Sequence, residues 1–173
     1  TNYLLDRGHK NIGFVGTRLM TPSIDDRFFG YLKALMERGI KYRADWIIDD
    51  RDNIYGKMNY DRQFILPKEV PTAFFCNCDK AASLIIRKLE EAGYSVPGDV
   101  SVVGFDNFEY DQEADIGITT YEINIGEMAK RAVHIMLHKM QNALYSAGVF
   151  SIQGKIIERE SVKKIGKSVP YAK

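Results

Sequence analysis

The chain has 173 residues, 45% hydrophobic against 27% charged, which leaves room for one ordinary domain with a real core and excludes disorder, collagen and coiled coil. Its net charge of +1 lacks the basic excess of a domain that grips nucleic acid by the phosphates. No apolar run reaches the length of a membrane span, Thr1–Arg7 has no signal-peptide pattern, and Thr in place of Met at position 1 is expected of a piece of a longer protein.

Short apolar runs alternate with helical patterns. Ile12–Gly16 reads as a buried strand, followed by a polar loop from Thr17 to Asp26. Phe28, Tyr31, Leu32 and Leu35 recur at the spacing of an amphipathic helix. Gly39 stops it, because glycine takes the left-handed conformation of a C-terminal cap. Trp46–Ile48 is a second apolar run leading into the polar loop Asp49–Asn53, and a shorter helix is expected over residues 57–65. After Pro67 and Pro71, Thr72–Cys76 reads as a third strand. Asp79 is the expected N-cap of a helix lined by Ala82, Ile85, Ile86 and Leu89 and ended by Gly93. Val96–Asp99 turns the chain into a fourth strand, Val100–Phe105. Strands apolar on both faces, separated by helices, predict an α/β fold: a parallel sheet flanked by helices on both faces, with right-handed crossovers. Beyond it, Ile118–Glu122 reads as a short strand. Met128, Ala132, Ile135, Met136 and Met140 form the apolar stripe of a helix, Val149–Ser161 one or two strands, and Lys163–Lys173 a flexible tail.

Ligands of open parallel sheets bind beyond the carboxyl ends of the strands, where loops and helix N-termini converge. Those loops hold Arg27, Asn77 and Asp106 as candidate side chains. A guanidinium donates from a planar fork and a carboxylate accepts at two oxygens, so together they can clasp the vicinal hydroxyls of a sugar. The competing reading is that Asp79 and Asp106 only cap a helix or turn. Cys76 and Cys78 are too close together to staple a fold and too few for zinc, and they fit a cytoplasmic location. Asp50–Asn53 fails the calcium-loop pattern at Ile54. His134 and His138 share a helix face but lack a third ligand at useful spacing, so no metal is expected. No phosphate loop, dinucleotide fingerprint or nucleophile elbow is present. The chain therefore offers no catalytic agent and no cofactor site.

Several stretches together resemble the effector-binding part of the LacI/GalR family of bacterial transcription regulators. They are Leu5–Ile12, Asp26–Tyr31, Pro71–Cys76, Val96–Asp106, Ile118–Thr120 and Glu158–Val162, and they span residues 1–162. The string Val96-Pro-Gly-Asp-Val-Ser-Val-Val-Gly-Phe-Asp106 is the most specific of them. The resemblance implies one subdomain of the type I periplasmic-binding-protein-like fold, the C-terminal one, with 118–140 crossing to a first subdomain. It further implies that Arg27 and Asp106 contact effector hydroxyls and that Phe105 walls the pocket. The family's Asn-Asp pair is Cys78-Asp79 here, with Asn77 one place earlier, and Arg51 stands where an aromatic often stacks on a sugar. A second guanidinium at Arg51 would suit an anionic effector.

The function implied is ligand sensing. A sugar or sugar derivative favours one closure of a two-subdomain clamp, and a separate headpiece reads operator DNA as a homodimer. The rival is a secreted sugar-binding protein of a transport system, which shares the fold.

Overall fold

The computed structural model describes residues 1–52, 54–108 and 115–172. Helix α1 (Asn2–Asp6) precedes strand β1 (Ile12–Val15), then come α2 (Pro22–Glu37), a 3-10 turn Ala44–Trp46, β2 (Ile47–Ile48), α3 (Tyr60–Gln63), β3 (Ala73–Cys76), α4 (Asp79–Glu91), β4 (Ser101–Asp106), β5 (Thr119–Glu122), α5 (Ile125–Gln141) and β6 (Lys155–Ile157). The six strands form one sheet in the order β2-β1-β3-β4-β5-β6. Every pairing from β2 to β5 is parallel, and β6 closes the edge antiparallel, with Tyr121 opposite Ile156. The expected α/β class holds.

Successive strand residues face opposite sides of a sheet, and each strand therefore feeds two cores. Val15, Phe74 and Val102 pack under α4 with Ile85, Ile86 and Leu89. Phe14, Phe75 and Val103 pack on the other face with Leu4 and Leu5 of α1 and Phe28, Tyr31 and Leu35 of α2. Phe14 meets Phe28 and Phe75 edge-on at 5.3 and 5.5 Å. The Tyr31 hydroxyl, buried with its ring, donates to the Ile12 carbonyl at 2.8 Å, so the one polar atom of that ring is satisfied.

Local chemistry sets the helix ends. The Thr21 hydroxyl accepts from the Ile24 N–H at 3.3 Å, with Pro22 in the first turn. Helix α2 thus begins earlier than the apolar stripe predicts, because capping and proline geometry set its start. Gly39, at φ +66°, follows its last residues. The helix expected over 57–65 shrinks to Tyr60–Gln63, capped by Asn59.

Two expectations need correction. Lys163–Ala172 is a packed strap and not a free tail. Val169 is buried, its N–H donates to the Leu5 carbonyl at 3.0 Å, and the Ile165 N–H donates to the Arg7 carbonyl at 2.9 Å. The buried Arg38 guanidinium donates to the Val169 carbonyl and to Asp6. Asp79 is the first residue of α4, and Cys78 holds the N-cap place without a side-chain cap bond. Helix α5 buries none of its residues, leaving Met128, Val133, Met136, Leu137 and Met140 exposed. No helix among the described residues is long and apolar enough to cross a membrane.

Candidate functional site

The sheet runs outward from β1 in both directions, to β2 on one side and β3 on the other. Such a reversal leaves a crevice at the carboxyl ends of the two central strands. Asp50, fully buried, fills its floor. Its carboxylate accepts from the Thr17 N–H at 2.8 Å, from Asn77 Nδ2 at 2.9 Å and from Arg51 Nη2 at 2.8 Å, with Arg51 Nε at 3.1 Å. The Thr17 hydroxyl accepts in turn from the N–H groups of Asp50 and Arg51 at 3.0 and 2.9 Å. Burial opposes ionisation of Asp50, but the Arg51, Thr17 and Asn77 donors outweigh it and hold its carboxyl below the ordinary range. One carboxylate thus ties together the loops after β1, β2 and β3.

A second group lies at the end of β4. Arg27, in the second turn of α2, places Nη2 3.3 Å from Asp106 Oδ1, both side chains about one-quarter exposed, at 21% and 24%. The guanidinium sits 4.1 Å above the Phe105 ring, which stacks on Tyr121 at 5.2 Å. Asp106 and Asn107 adopt φ of +101° and +53°, a left-handed pair without glycine. That conformation costs about 1–2 kcal/mol per residue for L-amino acids and persists only when the surroundings hold it. Burial raises the Asp106 carboxyl above its ordinary range, Arg27 pulls it back, and Asp79 adds to the rise.

The surroundings that hold this turn are specific. Asn107 Nδ2 donates to Glu122 at 2.9 Å and Arg159 Nη2 donates to Asn107 Oδ1 at 2.6 Å. Glu122 also pairs with Lys155 across the β5–β6 edge at 3.2 Å. Asp79 accepts from the Thr120 hydroxyl at 2.6 Å and from the Phe108 N–H at 3.0 Å, and burial raises its carboxyl. Glycine is needed at 104, because a Cβ there would run into that carboxylate. The two competing readings of the acids resolve differently: Asp79 braces β4 against β5, whereas Asp106 faces Arg27.

Of the residues picked from sequence, Arg27, Phe105 and Asp106 lie together. Arg51 and Asn77 meet through Asp50, so the Arg51 charge is compensated by that carboxylate. Asn77 is buried, and its Oδ1 has no hydrogen-bond partner. Cys78 lies between the groups, within electrostatic reach of Asp50, Arg51 and Asp106, and burial pushes its thiol up. The buried Cys76 thiol is pushed up further. Among the described residues, no three His, Cys, Asp or Glu side chains gather to hold a metal. Asn53, part of the polar loop after β2, lies outside the described residues.

Arg27, Phe105 and Tyr121 line an open hollow of about 490 Å³, and Asp106, Asn107 and Glu122 line a larger one of about 710 Å³ toward α5. Sequence reading missed Asp50, Thr17, Asn107 and Arg159. The available signal was the pair of acids Asp49-Asp50 at the carboxyl end of β2, and Asn107 carried none.

The model of the periplasmic binding protein-like domain matches residues 1–162. The chain is 30% identical over 165 residues to the HTH-type transcriptional repressor PurR of Photobacterium profundum, covering 95% of this chain and 49% of the repressor. The PurR repressor of Pasteurella multocida is also 30% identical, over 94% of this chain and 49% of its own length. The chain therefore spans about half the length of these curated relatives. Among solved structures, a LacI-type transcription regulator from Bifidobacterium animalis matches with a TM-score of 0.76 at 26% identity, over 94% of this chain and 62% of that one. The transcriptional regulator CelR, solved with cellobiose, matches with a TM-score of 0.78 at 21% identity, over 92% of this chain and 49% of that one.

Proposed function

This chain belongs to the periplasmic binding protein-like domain family in its LacI/GalR effector-binding form, and from that premise we propose that it senses a small, hydroxyl-rich, uncharged effector for a transcription regulator. The observation that carries this reading is the Arg27–Asp106 pair over Phe105 at the carboxyl ends of the strands. A fork of donors beside a two-oxygen acceptor fits vicinal hydroxyls, and an apolar ring beneath fits the C–H face of a sugar. Arg51, already neutralised by Asp50, argues for a neutral sugar over a phosphorylated one. Asn77, buried with an unpartnered Oδ1, and Cys78 follow β3 at the same ends of the strands and are proposed as further contacts.

Residues 1–162 act as the C-terminal half of a clamp. Beyond Glu122 the chain leaves the sheet until β6 returns to it, and the uncovered apolar stripe of α5 packs on a first subdomain; of the expected crossing segment 118–140, Thr119–Glu122 stays in the sheet. Effector that binds the closed clamp better than the open one shifts the equilibrium by that difference alone. A DNA-binding headpiece outside these residues reads operator DNA as a dimer, which suits the absence of a basic excess here. Exposed Phe29 and Met36 on α2 suit contacts between two copies. The regulator reading is favoured over the transport one because the relatives are repressors.

Calorimetric titration of the full-length protein with neutral and phosphorylated sugars tests the proposal. A neutral sugar binds, and Arg27→Ala and Asp106→Asn each lose it. Preference for phosphorylated sugars would remove the neutral effector, and turnover of any sugar would overturn the non-enzymatic role.

A further inference from the structure

His134 and His138 lie one turn apart on α5, both exposed, with Nε2 atoms 3.0 Å apart. Two nitrogens bound to one ion at 2.0–2.1 Å, at an angle between square and tetrahedral, are themselves about 2.8–3.4 Å apart. The side chains therefore already hold the bite of a cis-chelating pair. The arrangement is braced: the His138 ring stacks on Tyr145 at 5.3 Å. Lys139 Nζ fixes the chain around that tyrosine by donating to the carbonyls of Ala143 and Tyr145, each at 3.0 Å.

Helical geometry keeps the pair open. At 3.6 residues per turn, His134 and His138 fall roughly 160° from the row Met128, Ala132, Met136 and Met140. Both imidazoles are exposed, with Leu137 between that row and the pair. Neither ring contributes to the Arg27–Asp106 site, so the pair is independent of the function proposed above.

We infer that His134 and His138 form a bidentate site for a borderline divalent transition ion of the copper, nickel or zinc class, with the remaining coordination positions taken by water. Imidazole is a poor ligand for calcium or magnesium, which prefer oxygen. Binding needs no net proton release from neutral rings. The ring that carries its proton on Nε2 shifts to the Nδ1–H tautomer, and both Nε2 lone pairs then face the ion. A bound ion staples the last two turns of α5.

Nickel(II) and copper(II) chlorides titrated into the purified protein by calorimetry, with nitrogen couplings read in the copper EPR spectrum, test this. The expected result is one ion for the pair, with two coupled nitrogens. His134→Asn or His138→Asn alone weakens binding on the order of tenfold or more, because the second imidazole acts at high effective concentration. Circular dichroism on the same samples checks that these exposed substitutions leave α5 folded. Two independent ions, with one lost per variant and the other's affinity unchanged, would overturn the site, as would unaltered binding in the double variant.

Discussion

Asp106 meets Arg27 where the backbone turns left-handed at the last residue of β4. The 3.3 Å ion pair and the φ of +101° are one feature, since the turn aims the carboxylate across the strand ends at α2. Burial raises the folded pKa of this acid, so on acidification it protonates before an ordinary aspartate would. Effector affinity, if it needs the carboxylate, is then full at neutral pH and falls as pH drops through that raised value. Titrations between about pH 7 and pH 4 should show the acid limb in the parent protein, and an affinity flat over that range would mean that the Asp106 carboxylate does not carry the contact.

Asp50 has the opposite sign. Its folded pKa lies below the unfolded one, so its stabilising contribution is present above the ordinary carboxyl range and lost only as pH falls through its own lower value. Asp50→Ala leaves Arg51 and Asn77 without their acceptor at a buried position and should cost about 3 kcal/mol. Urea denaturation at neutral pH measures it. Asp50→Asn keeps the shape but not the charge, and should cost less while flattening the acid dependence.

The sheet was legible because burial on both faces leaves long marks: Phe74 and Phe75 are both apolar since one serves each core. Arg27 and Asp106 were legible because each stands in a recognisable string. Asp50 was not, because a carboxylate gathering the loops after three strands depends on partners 27 and 33 residues away in sequence, Asn77 and Thr17. Asp79 was misread as a cap because Asp before an apolar helix is the usual capping signal. Its partner Thr120 becomes a neighbour only once β5 is laid beside β4.

Asn107 links the acid-bearing turn to both strands at the sheet edge, through Glu122 next to β6 and Arg159 just beyond it. Two effects separate by substitution. Asn107→Gly keeps the left-handed backbone and removes the side-chain bonds. Asn107→Ala removes the bonds and adds the steric cost of a Cβ at positive φ without asparagine's tolerance for it. The alanine variant should be less stable than the glycine variant by about 1 kcal/mol. Equal melting temperatures would mean the strain is not held at this residue.

The strap Lys163–Ala172 returns across α1 and α2, held by the buried Val169 side chain, by backbone bonds and by side-chain bonds with Arg38, His9 and Ser101. Val169 lies in the same core as Leu4, Leu5 and Tyr31, while its N–H and C=O are taken by Leu5 and Arg38. Composition hides this, because four lysines between 163 and 173 and a proline read as a solvated end. Val169→Ala removes two buried methyl groups and should destabilise the domain by about 1–2 kcal/mol. Val169→Asp buries a charge without a partner and should release the strap altogether. Hydrogen exchange at the Ile165 and Val169 amides reads the difference. Both should be slow in the parent protein, intermediate in the alanine variant and at the free-chain rate in the aspartate variant, whereas fast exchange in the parent would restore the flexible tail.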